Sequence, residues 1–333
     1  AFLRGLIFPT PGFLLKTYDL RLTTNLYLLG YNYTFWGYKY TFQGINIPFY
    51  THLYLKIKHI ICTHSLFQPH LKINIYQKNW TKALEYIAKV KSLNVYALVT
   101  DYADNFRKNT QNNAESVWEI QHTNLELGIG NSINQWWYSK KIVGGYGFAE
   151  VTASFVASFE VDDPRRKNTI VMNNEDYFGV VYKNSFSSTR YSPRKYLQAD
   201  STVTQKADGD INYTAIRYAE VLLWEAEALT ALDRTAEAIV PLEVVRARAR
   251  KLSDHPLTAL PKVTTTDKQI MTAAIRHERQ VELGLEMHRF FDLVRWGTAS
   301  TTLPGFQAGK HEVFPLPQIE IDLNTKLIQN PGY

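Results

Sequence analysis

The chain has 333 residues, 45% of them hydrophobic and 20% charged, with 21 Tyr, 17 Phe, 7 Trp and a single cysteine, Cys62. That length supports a sizeable buried core without disulfides or metals, and one thiol excludes an intrachain disulfide, a thiolate metal cluster and a CxxC redox motif. The formal charge of +6 is uneven: residues 1–80 hold eight Lys and Arg against Asp19 alone, which leaves the remainder slightly acidic.

Those basic residues stand singly among Tyr, Leu and Ile and form no stripe, so nucleic-acid binding is not expected. No charge-free apolar run of about 18 residues occurs, so a transmembrane helix is not expected either. Cys62 follows Ile60 and Ile61 and lacks the small residues that precede a lipidated cysteine. It reads as a buried structural thiol.

Residues 1–75 form an N-terminal part with two competing patterns. Stretches 26–29, 31–40 and 49–61 are rich in aromatic and β-branched residues, as strands are, while Leu53, Ile57, Ile60 and Ile61 also fit a helical stripe. Both readings stay open there. From residue 76 to 333 the text reads as one helical domain carrying a loop-rich insert at 124–212. Trp80, Leu84, Ile87, Ala88 and Lys91 predict a helix that stops near Asn94. Residues 101–113 read as a polar loop, and the alternation over 115–121 predicts a short strand.

The insert mixes Gly, Asn, Ser and aromatics, with turns at Gly144-Gly145-Tyr146-Gly147 and Asp162-Asp163-Pro164-Arg165. Loops held on a rigid scaffold tend to carry binding residues. Residues 213–250 predict a helical hairpin: Ile216, Ala219, Leu222, Leu223, Ala226 and Leu229 line one helix, Asp233-Arg234 turn the chain, and Ala238, Leu242, Val245 and Ala249 line the next. Such an Ala-lined pair is the unit of a tetratricopeptide-like array. A third helix is predicted over 267–296, ended by Pro304-Gly305, and Phe314-Pro315-Leu316-Pro317 is predicted to be extended.

His277-Glu278-Arg279-Gln280-Val281 begins like a zincin motif, but Val281 stands where the second histidine is needed, so no metal is expected. Glu278, Glu282 and Glu286 recur at helical spacing, the placing of a glycosidase pair on one face, yet Arg279, Arg289, Asp292 and Arg295 lie beside them, with Glu286–Arg289 and Asp292–Arg295 spaced as i, i+3 pairs. Together these seven residues predict a structural ion-pair network rather than a catalytic site. No nucleophile elbow, P-loop or complete dinucleotide fingerprint occurs. Trp136-Trp137-Tyr138, with Tyr146 downstream and Asn131, Asn134 and Gln135 alongside, predicts a surface that stacks on sugar rings and bonds their hydroxyls. The competing reading is that these aromatics plug a core.

Several motifs in order resemble the SusD/RagB family. They are Arg217-Tyr218-Ala219-Glu220-Val221-Leu222-Leu223 with Glu225-Ala226-Glu227-Ala228-Leu229, then Val245-Arg246-Ala247-Arg248-Ala249, then Glu278-Arg279-Gln280-Val281-Glu282-Leu283. Glu286-Met287-His288-Arg289-Phe290-Phe291-Asp292-Leu293-Val294-Arg295-Trp296 and the ending from Phe314 to Tyr333 follow. Over 76–333 the order is kept, whereas residues 1–75 depart from it, with Pro9 and Pro11 inside what the family makes a helix.

The resemblance implies a mainly α fold, a tetratricopeptide-like hairpin array with a loop-rich ligand-bearing region. It implies no enzyme and no cofactor, but a subunit that captures an oligosaccharide or peptide. That subunit would sit on the cell-surface side of the outer membrane of a Bacteroidetes-type bacterium, over a SusC-like TonB-dependent barrel, held by a lipid anchor outside this chain. The chain is accordingly expected to be a portion of a longer protein. The rival reading is a SusD-like scaffold that binds no nutrient. Family ligand residues lie in variable loops, so none transfers to a position here.

Overall fold

The computed structural model describes residues 69–125, 128–143, 145–199 and 207–333, with the backbone of 26–28 and 31–33. Leu26–Leu28 and Tyr31–Tyr33 pair antiparallel, in line with the strand pattern there. Cys62 and the stripe from Leu53 to Ile61 lie outside the described residues.

Helix α1, Trp80–Ser92, buries Ala83, Ile87 and Val90 along one side, as the apolar spacing predicts. It stops where Asn94 turns left-handed, at φ 53°. Strand β1, Ser116–Ile120, pairs antiparallel with β2, Tyr213–Arg217, placing Ser116 opposite Arg217 and Ile120 opposite Tyr213. The second of these strands corrects the expected hairpin, whose first helix had been placed from 213. Tyr213, Thr214 and Ile216 are strong strand formers, and the partner strand satisfies their backbone groups. Ile216 is buried, but from a strand.

Helix α2, Tyr218–Ala231, follows at once, and α3, Thr235–Lys251, returns after a turn at Asp233, φ 61°. Helix α4, Lys268–Glu282, packs on both. Its start is set by the Asp267 side chain, which accepts from the Ile270 N–H at 2.8 Å. Ala219, Leu222, Leu223, Ala226 and Leu229 meet Ala238, Leu242 and Val245 of α3 and Met271 and Ile275 of α4 in one core. The other side of α2 sends Val221 and Trp224 to α1. A helix covered on nearly all sides explains why its sequence is apolar all round.

A single helix over 267–296 is not what forms. Helix α4 ends at Glu282, and α5, Arg289–Arg295, begins after a turn in which Leu285 and Met287 both lie at φ 63°. Gly284 closes against Phe155 so tightly that a Cβ would lie 2.2 Å from its ring. Glu, Leu and Met are good helix formers, so propensity hid the break that tertiary contact imposes.

Between the strands, the described residues of 124–212 are loop-rich with short helical turns and two two-stranded ribbons, Ile170–Val171 with Ser192–Pro193 and Asp176–Tyr177 with Val180–Val181. Its aromatic core joins Trp137, Tyr138, Tyr177, Tyr182 and Tyr196 to Tyr102 and Phe106 of the helical turn Tyr102–Phe106. Tyr102 and Tyr196 each meet Phe106 edge to face at 5.3 Å. The 314–317 segment is not helical, in keeping with its two prolines, and a short helix Gln318–Leu323 follows. The described fold is mainly helical, with tetratricopeptide-like packing of α2 to α4. Among the described residues no helix is long and apolar enough to cross a membrane.

Candidate functional site

The end of α4 gathers charge from five separate parts of the chain. Arg217, at the β2–α2 junction, donates from Nη1 to Glu115 at 2.7 Å and to Glu282 at 2.6 Å, and from Nε to Glu286 at 2.7 Å. Arg165 bonds Asp163, Glu278 and Glu282, and Arg248 bonds Glu115 and Glu282. Arg246 joins Glu278 and Glu160, each at 2.8 Å, and Lys195 reaches Glu286 at 2.7 Å. The carbonyl of Glu282, at the helix C-terminus, also accepts from Tyr102 Oη, Lys195 Nζ and Arg217 Nη2. Cations are favoured there because the last carbonyls lack partners and carry the negative end of the helix dipole.

A second group continues the network. Arg279 bonds Asp292 at 2.8 Å and Glu220 at 3.1 Å, and Arg295 bonds Glu227 at 2.6 Å and Asp292 at 2.9 Å. Six of the seven predicted residues therefore lie in a network, while Arg289 does not. Glu286 sits in the turn after α4, not on a continuous helix, and gives its carboxylate to Arg217 and Lys195. The expected Glu286–Arg289 pair is thereby lost, and Arg289 instead faces the Trp296 ring at 5.8 Å. Arg165, Glu115, Lys195 and Arg246 were missed because their network partners are distant in sequence; only the turn at 162–165 and the Val245–Ala249 motif hinted at two of them.

Burial pushes the Glu282 carboxyl up, but Arg248, Arg217 and Arg165 outweigh it and hold it well below the usual carboxylate range. Burial likewise opposes ionisation of Glu286 and Asp292, and Arg217 with Lys195, and Arg279 with Arg295, pull them down. Carboxyls with depressed folded pKa values stabilise the fold above their unfolded values, and that stability is lost as pH falls. The melting temperature should therefore drop steeply below about pH 4.5, where unfolded glutamates begin to protonate. A melt unchanged from pH 7 to pH 3 would refute this. A glycosidase acid needs a raised pKa and an open cleft, and these buried, arginine-bound carboxylates offer neither.

Glu160, His277 and Glu278 lie close enough to ligate one ion. Yet Arg246 already bonds both carboxylates, and His277 Nε2 contacts the Ser158 carbonyl at 2.7 Å. A guanidinium holds the place a metal would take.

The aromatic candidates divide by burial. Trp137 and Tyr138 are 7% and 1% exposed, part of the core of the loop-rich region, and Tyr138 Oη donates to the Gln198 carbonyl at 2.9 Å. They are corrected from ligand-facing to core residues: an adjacent aromatic run cannot point all its rings one way. Asn131 and Asn134 are also used internally, bonding the Ile211 carbonyl and the Gln198 N–H. Trp136 and Tyr146 are 44% and 43% exposed.

Two backbone bonds hold the exposed pair on one ladder, Tyr146 N–H to the Gln135 carbonyl at 2.9 Å and Phe148 N–H to the Trp136 carbonyl at 2.7 Å. Gly145 is required there, since a Cβ would lie 2.3 Å from the Tyr138 carbonyl oxygen. Phe148, 56% exposed, was not foreseen; its ring lies 5.5 Å from that of Tyr146. The alternation of Tyr146 and Phe148 about Gly147 was the signal that could have revealed it.

Residues 96–313 match the model of the SusD family. The chain is 24% identical over 321 residues to the SusD-like protein P25 of Formosa agariphila, covering 79% of this chain and 57% of that protein. The crystal structure of a SusD superfamily protein from Bacteroides vulgatus ATCC 8482 superposes with a TM-score of 0.66 at 26% identity, over 79% of this chain and 61% of that one. A laminarin-binding SusD-like protein superposes with a TM-score of 0.66 at 27% identity, over 81% of this chain and 62% of its own. The chain thus spans little more than half the length of P25. On the family match over 96–313 and the shared fold, the chain belongs to the SusD family.

Proposed function

We propose that this chain is the larger part of a non-catalytic glycan-capture protein, which holds an oligosaccharide on the exposed rings of Trp136, Tyr146 and Phe148. The observation that carries this reading is that these three large rings stay partly open to solvent on a hydrogen-bonded ladder, while their neighbours Trp137 and Tyr138 anchor it in the core. Exposed aromatic faces stack on the C–H faces of sugars, and a pre-ordered ladder lowers the entropic cost of binding. The 27% identical laminarin-binding relative supports a glucan as the first probe.

Family membership further supports a setting at the cell-surface side of the outer membrane, with a lipid anchor and a SusC-like TonB-dependent barrel as partner. Capture by the loops, rather than by the helices, fits the way α2 to α4 bury their apolar faces on one another. Trp136→Ala should weaken laminari-oligosaccharide binding about tenfold or more in calorimetric titration, the scale of about 1–3 kcal/mol that stacking of a flat ring on an aromatic side chain contributes for nucleic-acid bases. Its melt should be unchanged. If binding persists but association with a co-expressed barrel is lost, the rings belong to a partner interface and the scaffold reading moves ahead.

A further inference from the structure

Two arginines stand apart from the buried network. The guanidinium carbons of Arg276, on α4, and Arg289, on α5, lie 4.9 and 5.8 Å from the centre of the Trp296 ring. Asp292, the nearest acid along α5, is committed to Arg279 and Arg295. Among the described residues neither Arg276 nor Arg289 has an ion pair, whereas the fully buried Arg165, Arg217 and Arg279 each have at least two carboxylates. Arg289 is half-buried, and burial lowers its pKa. A partly desolvated guanidinium with unmet donors is costly, and an incoming anion removes that cost.

Both arginines line one open groove of about 320 Å³, whose other walls include Gln280, Thr298, Thr301 and Thr302. No acid lines it, and Ala273 and Leu293 are its only aliphatic side chains. Arg276 and Trp296 also border an adjoining cavity of about 220 Å³ that holds Lys78, Lys268 and Arg295 against Glu227. Lys268 there is paired with Asp233, and Arg295 with Glu227 and Asp292, so among the described residues the cations without an ion pair around Trp296 are Arg276, Arg289 and, in the adjoining cavity, Lys78.

We propose that the α4–α5 groove is a second ligand site, which binds a carboxylate or sulfate group carried on an oligosaccharide through Arg276 and Arg289. Guanidinium forks match the paired oxygens of such groups. The hydroxyl and amide wall suits a hydroxyl-rich chain. The guanidiniums already beside Trp296 make it a support for the charges rather than a stacking platform for the sugar. This site is separate from the Trp136 ladder and does not depend on it.

The test is calorimetric titration of the whole chain with tri-galacturonate, with its fully methyl-esterified form, and with hexaglutamate. Tri-galacturonate should bind, the methyl ester about tenfold more weakly or worse, and the affinity should fall as salt rises from 50 to 200 mM because the contact is ionic. Arg276→Gln and Arg289→Gln should each weaken tri-galacturonate about tenfold while leaving laminari-oligosaccharide binding unchanged. Should a glutamine variant misfold, Arg289→Lys keeps the charge but removes the fork, and it should still weaken binding with an unaltered melt. Equal binding of acid and ester, or no response to any of these substitutions, overturns the proposal. Tighter binding of hexaglutamate than of tri-galacturonate overturns the saccharide assignment and makes an acidic protein surface the occupant.

Discussion

Replacing Arg217 with alanine is expected to cost about 3–5 kcal/mol, the usual penalty for leaving buried partners unpaired. Arg217 is fully buried, and its loss removes a counter-charge from Glu115, Glu282 and Glu286 at once, which leaves five buried or nearly buried charges, these three with Arg248 and Lys195, out of balance. It also unties the carbonyl at the end of α4, to which Arg217 Nη2 donates at 2.7 Å. Set against a total stability of about 5–15 kcal/mol, such a loss removes a large fraction of the fold's margin. At roughly 2–4 °C per kcal/mol, the melting temperature should fall by about 6–20 °C. Arg217→Lys should fall between wild type and alanine, because an ammonium keeps the charge and cannot reach all three carboxylates at once. A melt of Arg217→Ala within about 2 °C of wild type would show that the cluster is not holding β2, α4 and the 115 segment together. Arg289, beside the Trp296 ring, has no such partners among the described residues, and its removal should leave the melt nearly unchanged.

Ala226→Asp is expected to prevent folding. Ala226 is fully buried at the centre of α2, in the core shared with Leu242 and Val245 of α3 and Met271 and Ile275 of α4. An aspartate there has to be either protonated or left as an unpaired buried charge, and its side chain also overfills a close-packed contact. Each effect alone is worth several kcal/mol, which is comparable to the whole stability of a domain. The variant should appear in the insoluble fraction or lack a cooperative melt, whereas Ala226→Gly should remain folded and lose only about 1 kcal/mol of helix propensity. Soluble expression of Ala226→Asp with a wild-type melt would mean that α2 does not pack on α3 and α4 as described.

Much of the helical framework was legible in the residues. Helices α1 and α3 announce themselves by apolar spacing, and the turn between α2 and α3 by Asp233-Arg234. Local patterns suffice there because an amphipathic helix writes its buried side into its own period. The same holds for the strand at 116–120 and for the non-helical segment at 314–317, which alternation and proline set locally.

What the local pattern could not reach was set by contacts between distant residues. Residues 213–217 became a strand because 116–120 lie alongside them, and the predicted 267–296 helix broke because its end closes on Phe155 and the charged cluster. Trp136 and Trp137 have the same side chain and adjacent positions, yet one is exposed and the other buried, since that choice depends on which ring meets the core of Tyr102, Tyr177 and Tyr196. Glu286 and Arg289 sit at a spacing suited to a helical pair, and the turn between α4 and α5 sends them to different neighbours. Spacing along a chain reports which residues can meet if the backbone stays regular; where long-range packing bends the backbone, only the folded arrangement decides the partners.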